Sequence, residues 1–383
     1  MNYNEAIDYI KSLEKFGSKP GLERIKALMK FADNPEKKLK FIHVAGTNGK
    51  GSTCQFINQG LIEARKKTGL FTSPSIKSYL ERFKINNKEM SKKKFAKYVE
   101  FFKNCKAKYT EFELSTAIAI KYFYDEKCDY VVLETGMGGL LDATNIIPKP
   151  EVTVITPISY DHMAILGDSL TLILKQKMGI IKDKCPVISS KQKFILKNLM
   201  LSYHPHAEFI DEASNIDINL KQTTFTYKEK EYKIKLKGSM QIENACLAID
   251  VLNKLGIDYK YINKGLYKAY LPYRFEIKGK LILDAAHNPA GFLSLKQNLD
   301  NYFPGEKFDF IIGILADKDY ETCIEVIAKN VDTLYCIKPD SPRALTAEDL
   351  AKTAEKHIKN VKIGKPDKHR KYTIMCGSFT NFS

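Results

Sequence analysis

No run of 18 consecutive apolar residues occurs anywhere in the 383 residues, so no membrane-spanning helix is expected. The segment from Met1 to Lys11 is polar and carries Glu5 and Asp8, which does not fit a secretory signal, and the expectation is a soluble cytoplasmic protein. No two of the eight cysteines form a C-x-x-C or any other paired spacing. That argues against a disulfide framework or a zinc site and for reduced thiols placed mostly in the core. Internal repeats and low-complexity linkers are also lacking. Arginine is scarce, with only Arg24, Arg65, Arg82, Arg274, Arg343 and Arg370 among 61 basic residues. In a chain so biased to lysine, a retained arginine points to a bidentate carboxylate or phosphate contact that lysine does not reproduce. The net charge of +16 raises the question of nucleic acid. The lysines are dispersed, however, and clusters such as Lys92-Lys93-Lys94 read as solvated helix faces.

What is present is centred on Phe41 to Thr53, FIHVAGTNGKGST. A short apolar run leads into a glycine-rich turn, and a helix-compatible stretch follows from Cys54 to Arg65. Strand, turn and helix N-terminus together make a phosphate cradle, because glycines let several N–H groups converge on one anion and the helix dipole adds to that field. Lys50 would reach the outer phosphates and Ser52 would hold Mg²⁺. The strict P-loop pattern has Ser or Thr directly after the lysine, whereas Gly51 intervenes here. A glycine-rich turn used only for α/β packing is the other reading.

The spacing predicts helices over Glu5–Phe16 and Gly21–Phe31, a strand at Gly69–Thr72, and helices over Lys94–Lys106 and Glu113–Tyr124. Strands follow at Tyr130–Leu133, Val152–Ile155 and Pro186–Ser189, with a helix over Leu170–Ile181. Alternation at this spacing predicts a doubly wound parallel sheet. Ligands sit at the carboxyl ends of such strands, and the polar clusters after Ala45, Thr72, Leu133 and Thr156 all fall there. A hairpin is predicted over Thr223–Leu236 and a helix over Gln241–Leu255. A new strand–helix series begins after Leu271-Pro272-Tyr273-Arg274. It has strands at Leu281–Asp284, Phe308–Ile314, Thr333–Ile337 and Tyr372–Met375 and helices starting near Pro289, Tyr320 and Thr346. The expected organisation is therefore α/β throughout, with a parallel-sheet domain over 1–272 and a smaller α/β domain over 273–383.

The motifs GTNGKGS, TSP with the following ERF, ETGMGG-x-x-DATN and DH-x-x-x-LG occur in that order. QKMGIIK, GSMQIENA, PYR, LDAAHNP, GILADKDY, PRAL and a terminal GS complete the series. Together they resemble the folylpolyglutamate synthase and dihydrofolate synthase branch of the Mur ligase family, from residue 46 to residue 378. The resemblance implies a P-loop-type parallel-sheet ATPase domain followed by a smaller Rossmann-like α/β domain. It also implies ATP-dependent ligation of L-glutamate onto dihydropteroate, onto the γ-carboxylate of a folate, or both, by a monomer that uses no nucleic acid. A carboxylate is a poor electrophile at neutral pH, so the γ-phosphoryl of ATP would first convert it to an acyl phosphate. Transfer between two anions needs cations at the phosphates.

The resemblance places Asn48, Gly49, Lys50, Gly51 and Ser52 on ATP, joined by Asn244 and Arg274, with Asp284 at the ribose or base. It places one Mg²⁺ on Ser52, Ser73 and Glu134, and His162 near a second. Glu134 has support of its own, since an acid directly after Val131-Val132-Leu133 is costly unless paired. His287 and Ser378 would hold glutamate, and closure of the two domains would exclude water from the acyl phosphate. On the folate side stand Leu22, Glu23, Arg82, Thr110, Phe112, Glu113 and Asp142, with Phe112 able to stack on the pterin. Lys177 would carry a carbamate, because an ammonium beside Mg²⁺ repels it and a carboxylate-like oxygen pair suits it.

Three departures stand out. Leu140 replaces an arginine common in GGR-x-DATN, Gln176 and Met178 flank Lys177 where Glu and Ala are usual, and Leu271 and Tyr273 alter a Trp-Pro-Gly-Arg hinge. Two readings from other classes stay open: a Mur-type ligase for another acid such as a peptidoglycan precursor, and a basic nucleic-acid-binding ATPase.

Overall fold

The structure is a computed structural model and describes residues 1–13, 21–366 and 372–382. It divides into two units, one formed by Met1–Glu212 with Glu243–Lys268 and the other by Ala213–Ile242 with Ala269–Ser383.

In the first unit the strands are β1 (Phe41–Ala45), β2 (Thr68–Phe71), β3 (Phe83–Ile85), β4 (Lys88–Glu89), β5 (Tyr130–Glu134), β6 (Val152–Ile155), β7 (Val187–Ser189) and β8 (Glu208–Phe209). They form one sheet in the order β4-β3-β2-β5-β1-β6-β7-β8. The strands from β2 to β8 in that order run parallel, while β3 and β4 add an antiparallel edge. β1 is central and buried along its whole length, as a parallel strand covered on both faces requires. Its neighbours are in register, with Val44 opposite both Glu134 and Val154, so the carboxyl ends of β1, β5 and β6 lie side by side.

The helices of this unit are α1 (Tyr3–Leu13), α2 (Glu23–Phe31), α3 (Lys50–Glu63), α4 (Lys92–Lys103), α5 (Glu111–Asp125), α6 (Met163–Leu166), α7 (Leu170–Met178), α8 (Phe194–Tyr203), α9 (Met240–Lys254) and α10 (Tyr259–Lys268). α3 is buried from Ser52 to Leu61. It meets α10 at Gly60 and Gly265, where a Cβ on Gly265 would lie 2.5 Å from Gly60 Cα. An apolar core on one flank joins α1, α2, α4 and α5 through residues such as Ile25, Phe95 and Phe123. A second core gathers Ile155, Ile173, Leu174 and Met200 around α7 and α8.

The second unit contains β9 (Ser214–Ile218), β10 (Thr223–Tyr227) and β11 (Lys230–Ile234), an antiparallel sheet ordered β11-β10-β9. The six-stranded sheet that follows comprises β12 (Glu276–Lys278), β13 (Leu281–Asp284), β14 (Phe308–Gly313), β15 (Val331–Cys336), β16 (Val361–Ile363) and β17 (Thr373–Gly377). Its order is β12-β13-β17-β14-β15-β16, parallel except for β12. α11 (Pro289–Tyr302), α12 (Tyr320–Ile327) and α13 (Ala347–Ala354) pack on it through Phe292, Ile324 and Leu350.

The predicted α/β class and the parallel central sheet are found, with most element ends displaced by one to three residues. α1 begins at Tyr3, and its predicted end at Phe16 lies outside the described residues. The predicted helix over Leu170–Ile181 stops at Met178, and the short α6 precedes it. All eight cysteines are free thiols and seven are buried. Among the described residues no helix is long and apolar enough to cross a membrane.

Candidate functional site

β1 ends at Ala45 and α3 begins at Lys50, so the four residues between them make the turn. Gly46 and Gly49 have φ of 150° and 85°, in the region that favours glycine. Space enforces the same choice, because a Cβ would sit 1.8 Å from Thr156 Oγ1 at Gly46 and 2.3 Å from Asn244 Oδ1 at Gly49. The turn is braced by Thr47, whose amide donates to Pro157 O at 3.0 Å and whose hydroxyl donates to Ser159 O at 3.0 Å. Asn48 Nδ2 donates to Ser159 Oγ at 3.4 Å. The first intrahelical bond of α3 runs from Thr53 N to Gly49 O at 2.9 Å, so the amides of Lys50, Gly51 and Ser52 precede it at the positive end of the helix dipole. The intervening Gly51 therefore lies within the first turn, and Ser52, buried, follows on the same turn.

Two lysines converge behind this turn. Lys50 Nζ donates to Gly46 O and Thr47 O, each at 3.2 Å, and Lys177 Nζ donates to the same Gly46 O at 2.7 Å. Lys177 is buried, and burial first, with Lys50 second, pushes its ammonium down to about 7; Asp161 and Asp142 oppose the shift. Glu134, at the end of β5, is buried and accepts from Ser73 N at 3.2 Å. The hydroxyls of Thr135 and Thr156 are buried at the same strand ends without a hydrogen-bond partner. His162 stands apart from this group in character. Its side chain is 39 % exposed, it has φ of 52°, and its Nε2 is 3.8 Å from Asp161 Oδ1.

The residues expected on the folate side fall into several separate groups. Thr110 caps α5: its hydroxyl accepts from Glu113 N at 3.3 Å and donates to Glu113 Oε2 at 3.0 Å. Arg24 forks the same carboxylate, with Nε 3.0 Å from Oε2 and Nη2 2.9 Å from Oε1. This is the bidentate contact that the scarcity of arginine suggests, made to an internal carboxylate. Arg82 Nη1 binds Glu111 Oε1 at 2.9 Å, its Cζ lies 4.6 Å from the Tyr79 ring centroid, and Tyr79 OH bonds Glu111. Phe112 packs on Gly136, where a Cβ would come within 2.4 Å of its ring. Asp142 is buried and accepts from Met137 N at 2.8 Å and from Thr144 N at 3.0 Å. Leu22 packs against the helical core, and Glu23 is exposed and pairs with Lys26.

In the second unit the candidates gather at the carboxyl ends of β13 and β17. Tyr273 and Phe275, on either side of Arg274, both have positive φ, 59° and 49°. Asp284 stabilises this bend by accepting from Phe275 N and Ala286 N, each at 2.9 Å. Burial raises its carboxyl to about 6 despite the nearby Arg274. The amide of Asp284→Asn would turn an N–H toward one of those two donors. That substitution is expected to cost about 1–3 kcal/mol of stability, read as a lower melting temperature without nucleotide; an unchanged melt would mean that Asp284 does not hold the bend. His287 Nδ1 donates to Ala285 O at 2.9 Å, and its ring and the Arg274 guanidinium lie 5.6 Å and 5.5 Å from the Phe379 ring. Ser378 is buried, with its amide on Gly313 O at 2.7 Å and its hydroxyl 3.0 Å from Thr380 Oγ1. Arg343 is exposed and pairs with Asp317.

Comparison with known proteins places both halves. Residues 44–252 match the Mur ligase middle domain, and residues 273–371 match the Mur ligase glutamate ligase domain. The dihydrofolate synthase/folylpolyglutamate synthase of Bacillus subtilis is 36% identical over 92% of this chain and 89% of its own. The chain belongs to the Mur ligase family, in its dihydrofolate synthase/folylpolyglutamate synthase branch. The folylpolyglutamate synthase of Lacticaseibacillus casei is 31% identical over 90% of this chain and 87% of its own. Among solved structures, the Mycobacterium tuberculosis folylpolyglutamate synthase with ADP and AMPPCP superposes with a TM-score of 0.89 at 27% identity, covering 100% of this chain and 97% of that one. Escherichia coli FolC with DHPP and ADP gives a TM-score of 0.87 at 27% identity, covering 100% and 96%.

The family's nucleotide chemistry implies Mg²⁺, and the donor set at the strand ends fits it. One buried carboxylate, one buried serine hydroxyl and two unpartnered threonine hydroxyls are hard oxygen donors. Among the described residues no three His, Cys, Asp or Glu side chains form a metal cluster. Sequence reasoning missed the residues that brace the site, namely Thr47, Ser159 and Thr156 at the cradle and Arg24, Glu111 and Tyr79 on the opposite flank. Arg24 alone carried a signal, its rarity. Leu140 is exposed, and its backbone amide ties the loop to Gln176 O at 2.7 Å.

Proposed function

We infer that this chain is an ATP-dependent ligase that joins L-glutamate to dihydropteroate, to the γ-carboxylate of a folate, or to both. The observation that carries this is the β1–α3 cradle, with a lysine and a buried carboxylate at one sheet edge, in a chain spanned by ligases of that name. In the reaction an acceptor carboxylate oxygen attacks the γ-phosphorus and ADP leaves. The glutamate amine then attacks the acyl carbon, phosphate departs as the C–O bond breaks, and the amine proton is lost.

The amides of Lys50, Gly51 and Ser52, with Lys50 Nζ, face the phosphates, and Asn48 and Gly49 shape the turn. Asn244 abuts the cradle at Gly49. Arg274 would contact ATP, with Asp284 at the ribose or base. Ser52, Ser73, Glu134 and a carbamylated Lys177 would hold Mg²⁺, with His162 beside a second ion. Bound there, Mg²⁺ supplies charge neutralisation for phosphoryl transfer. His287 and Ser378, in the glutamate-binding half over 273–383, would orient glutamate. Leu22, Glu23, Arg82, Thr110, Phe112, Glu113 and Asp142 would form the acceptor side. Within that set Thr110, Glu113 and Arg82 act chiefly by fixing helix α5 and its approach, since their polar atoms already pair with protein groups. We place the protein in the cytoplasm as a monomer.

The test is product mass after incubation with ATP, Mg²⁺, L-glutamate and, separately, dihydropteroate, tetrahydrofolate and a UDP-sugar acid. Products heavier by one or more glutamate residues are expected with a pteridine acceptor. ATP turnover without such a product, turnover confined to the UDP-sugar acid, or hydrolysis stimulated by DNA or RNA would overturn the reading.

A further inference from the structure

One wholly buried polar side chain of the first unit has no part in the chemistry above. His43 lies mid-strand in β1, between Ile42 and Val44, and has no exposed surface. Its Nε2 is 2.8 Å from Thr144 Oγ1, a partner 101 residues away. Thr144 Oγ1 is in turn 2.6 Å from Asp142 Oδ1. Burial pushes the Asp142 carboxyl up, but it accepts backbone amides on both oxygens, from Thr144 at Oδ1 and from Met137 at Oδ2, and these donors with the Thr144 hydroxyl oppose that push and favour the ionised acceptor. The single hydroxyl proton of Thr144 therefore goes to Asp142. Thr144 Oγ1 must accept from the imidazole, and His43 Nε2 carries the hydrogen. That assignment leaves Nδ1 with a bare lone pair, buried and without a partner.

A central parallel strand is normally apolar throughout, and an orphaned buried nitrogen costs stability. Leucine or valine at this position would avoid that cost. Burial, with Lys182 second, pushes the imidazole down to about 3, so His43 stays neutral at working pH and acts as a fixed donor. Its effect runs through the Asp142 carboxylate into the loop after β5. Asp142 Oδ2 pins Met137 N, and Gly136 beside it carries the Phe112 ring. Asn145, from the same turn, donates to Leu140 O at 2.9 Å and to Gly179 O at 3.0 Å, which secures the far side of the loop to the end of α7. The near side is tied through Asp142 to the Thr144 hydroxyl, whose other neighbour is His43 Nε2.

We propose that His43 is a positioning residue for the acceptor pocket, fixing through Thr144 the Asp142 carboxylate and the Gly136–Gly139 wall against Phe112. This rests on the reading of Asp142 and Phe112 as acceptor-side groups. The rival is an effect on the phosphates, since β1 also carries the cradle.

The test uses the full-length protein with His43→Leu, His43→Gln, Thr144→Val and the His43→Leu/Thr144→Val pair. KM is measured for the pteridine acceptor that is turned over, dihydropteroate or tetrahydrofolate, and separately for ATP and glutamate. Loss of one buried hydrogen bond that orients a binding group predicts an acceptor KM about five- to tenfold higher in His43→Leu. ATP and glutamate KM should stay within about twofold, by the same scale. Glutamine places an N–H near the Nε2 position, so His43→Gln should restore most of the acceptor KM. The double variant should be no worse than Thr144→Val alone, because both act on one chain of bonds. An equal rise in ATP KM, no rescue by glutamine, or additive effects in the double variant would overturn the proposal. If His43→Leu does not fold, Thr144→Val decides, and an unchanged acceptor KM there overturns it. Asp142→Asn separates the two levels. Raised acceptor KM in Asp142→Asn with none in His43→Leu or Thr144→Val removes only the role of His43. Unchanged acceptor KM in Asp142→Asn removes the acceptor-side reading of this loop and the proposal with it.

Discussion

Lys50→Ala is expected to lower kcat for ATP-dependent ligation by about 10²- to 10³-fold, the usual cost of deleting one preorganised charge at a reacting centre. The Nζ group sits on the inner face of the turn, bonded to Gly46 O and Thr47 O, and Ser52 follows in the same helical turn. Phosphoryl transfer offers little covalent chemistry for a protein to assist, so positioning and charge carry most of the rate. Alanine keeps the helix start and removes the cation together with its two bonds to Gly46 O and Thr47 O. The turn keeps its other braces, the bonds of Thr47 to Pro157 O and Ser159 O. The fold should therefore survive, with a thermal melt close to that of the unsubstituted protein. Near-normal turnover at saturating ATP would show that this turn is not the phosphate cradle.

Lys177→Ala is expected to lose activity on a similar scale, about 10²-fold or more, with partial rescue by acetate or formate. Carbamate formation needs the neutral amine: the nitrogen lone pair attacks CO₂, an N–C bond forms, and one N–H proton passes to solvent. Burial and the neighbouring Lys50 supply that neutral amine by lowering the ammonium to about 7. The sign follows directly. Below pH 7 the amine is protonated and cannot add CO₂, whereas above it the neutral form dominates, so carbamylation should rise with pH through about 7. Added bicarbonate should stimulate activity most on the acid side. Lys175 is in the last turn of the same helix but is not buried, so it lacks this reason to react. Labelling with ¹³C-bicarbonate followed by NMR checks the modification. An unlabelled Lys177 together with full activity of Lys177→Ala without added carboxylate would rule it out.

The sequence by itself determined the α/β class and the strand–turn–helix unit at Phe41–Thr53. These are local signals. A buried parallel strand is an apolar run, a cradle needs glycines at fixed offsets, and the carboxyl end of each strand is visible where the run stops at Ala45, Glu134 or Ile155. Short edge strands such as β4 and β8, two residues each, carry no period to read, and helices α8 and α10 passed unnoticed beside stronger signals.

What only the tertiary structure decided is how the polar side chains are used. Glu113 is held by Arg24 from 89 residues away, Asp284 by two backbone amides of a bend, and His43 by a threonine 101 residues distant. Lys177 differs from its neighbouring lysines only because the fold buries it on Gly46 O. Residue type and spacing specify which groups a segment presents. Hydrogen-bond partners and burial depend on segments far apart in the chain, and they decide whether a carboxylate is satisfied or a lysine stays charged.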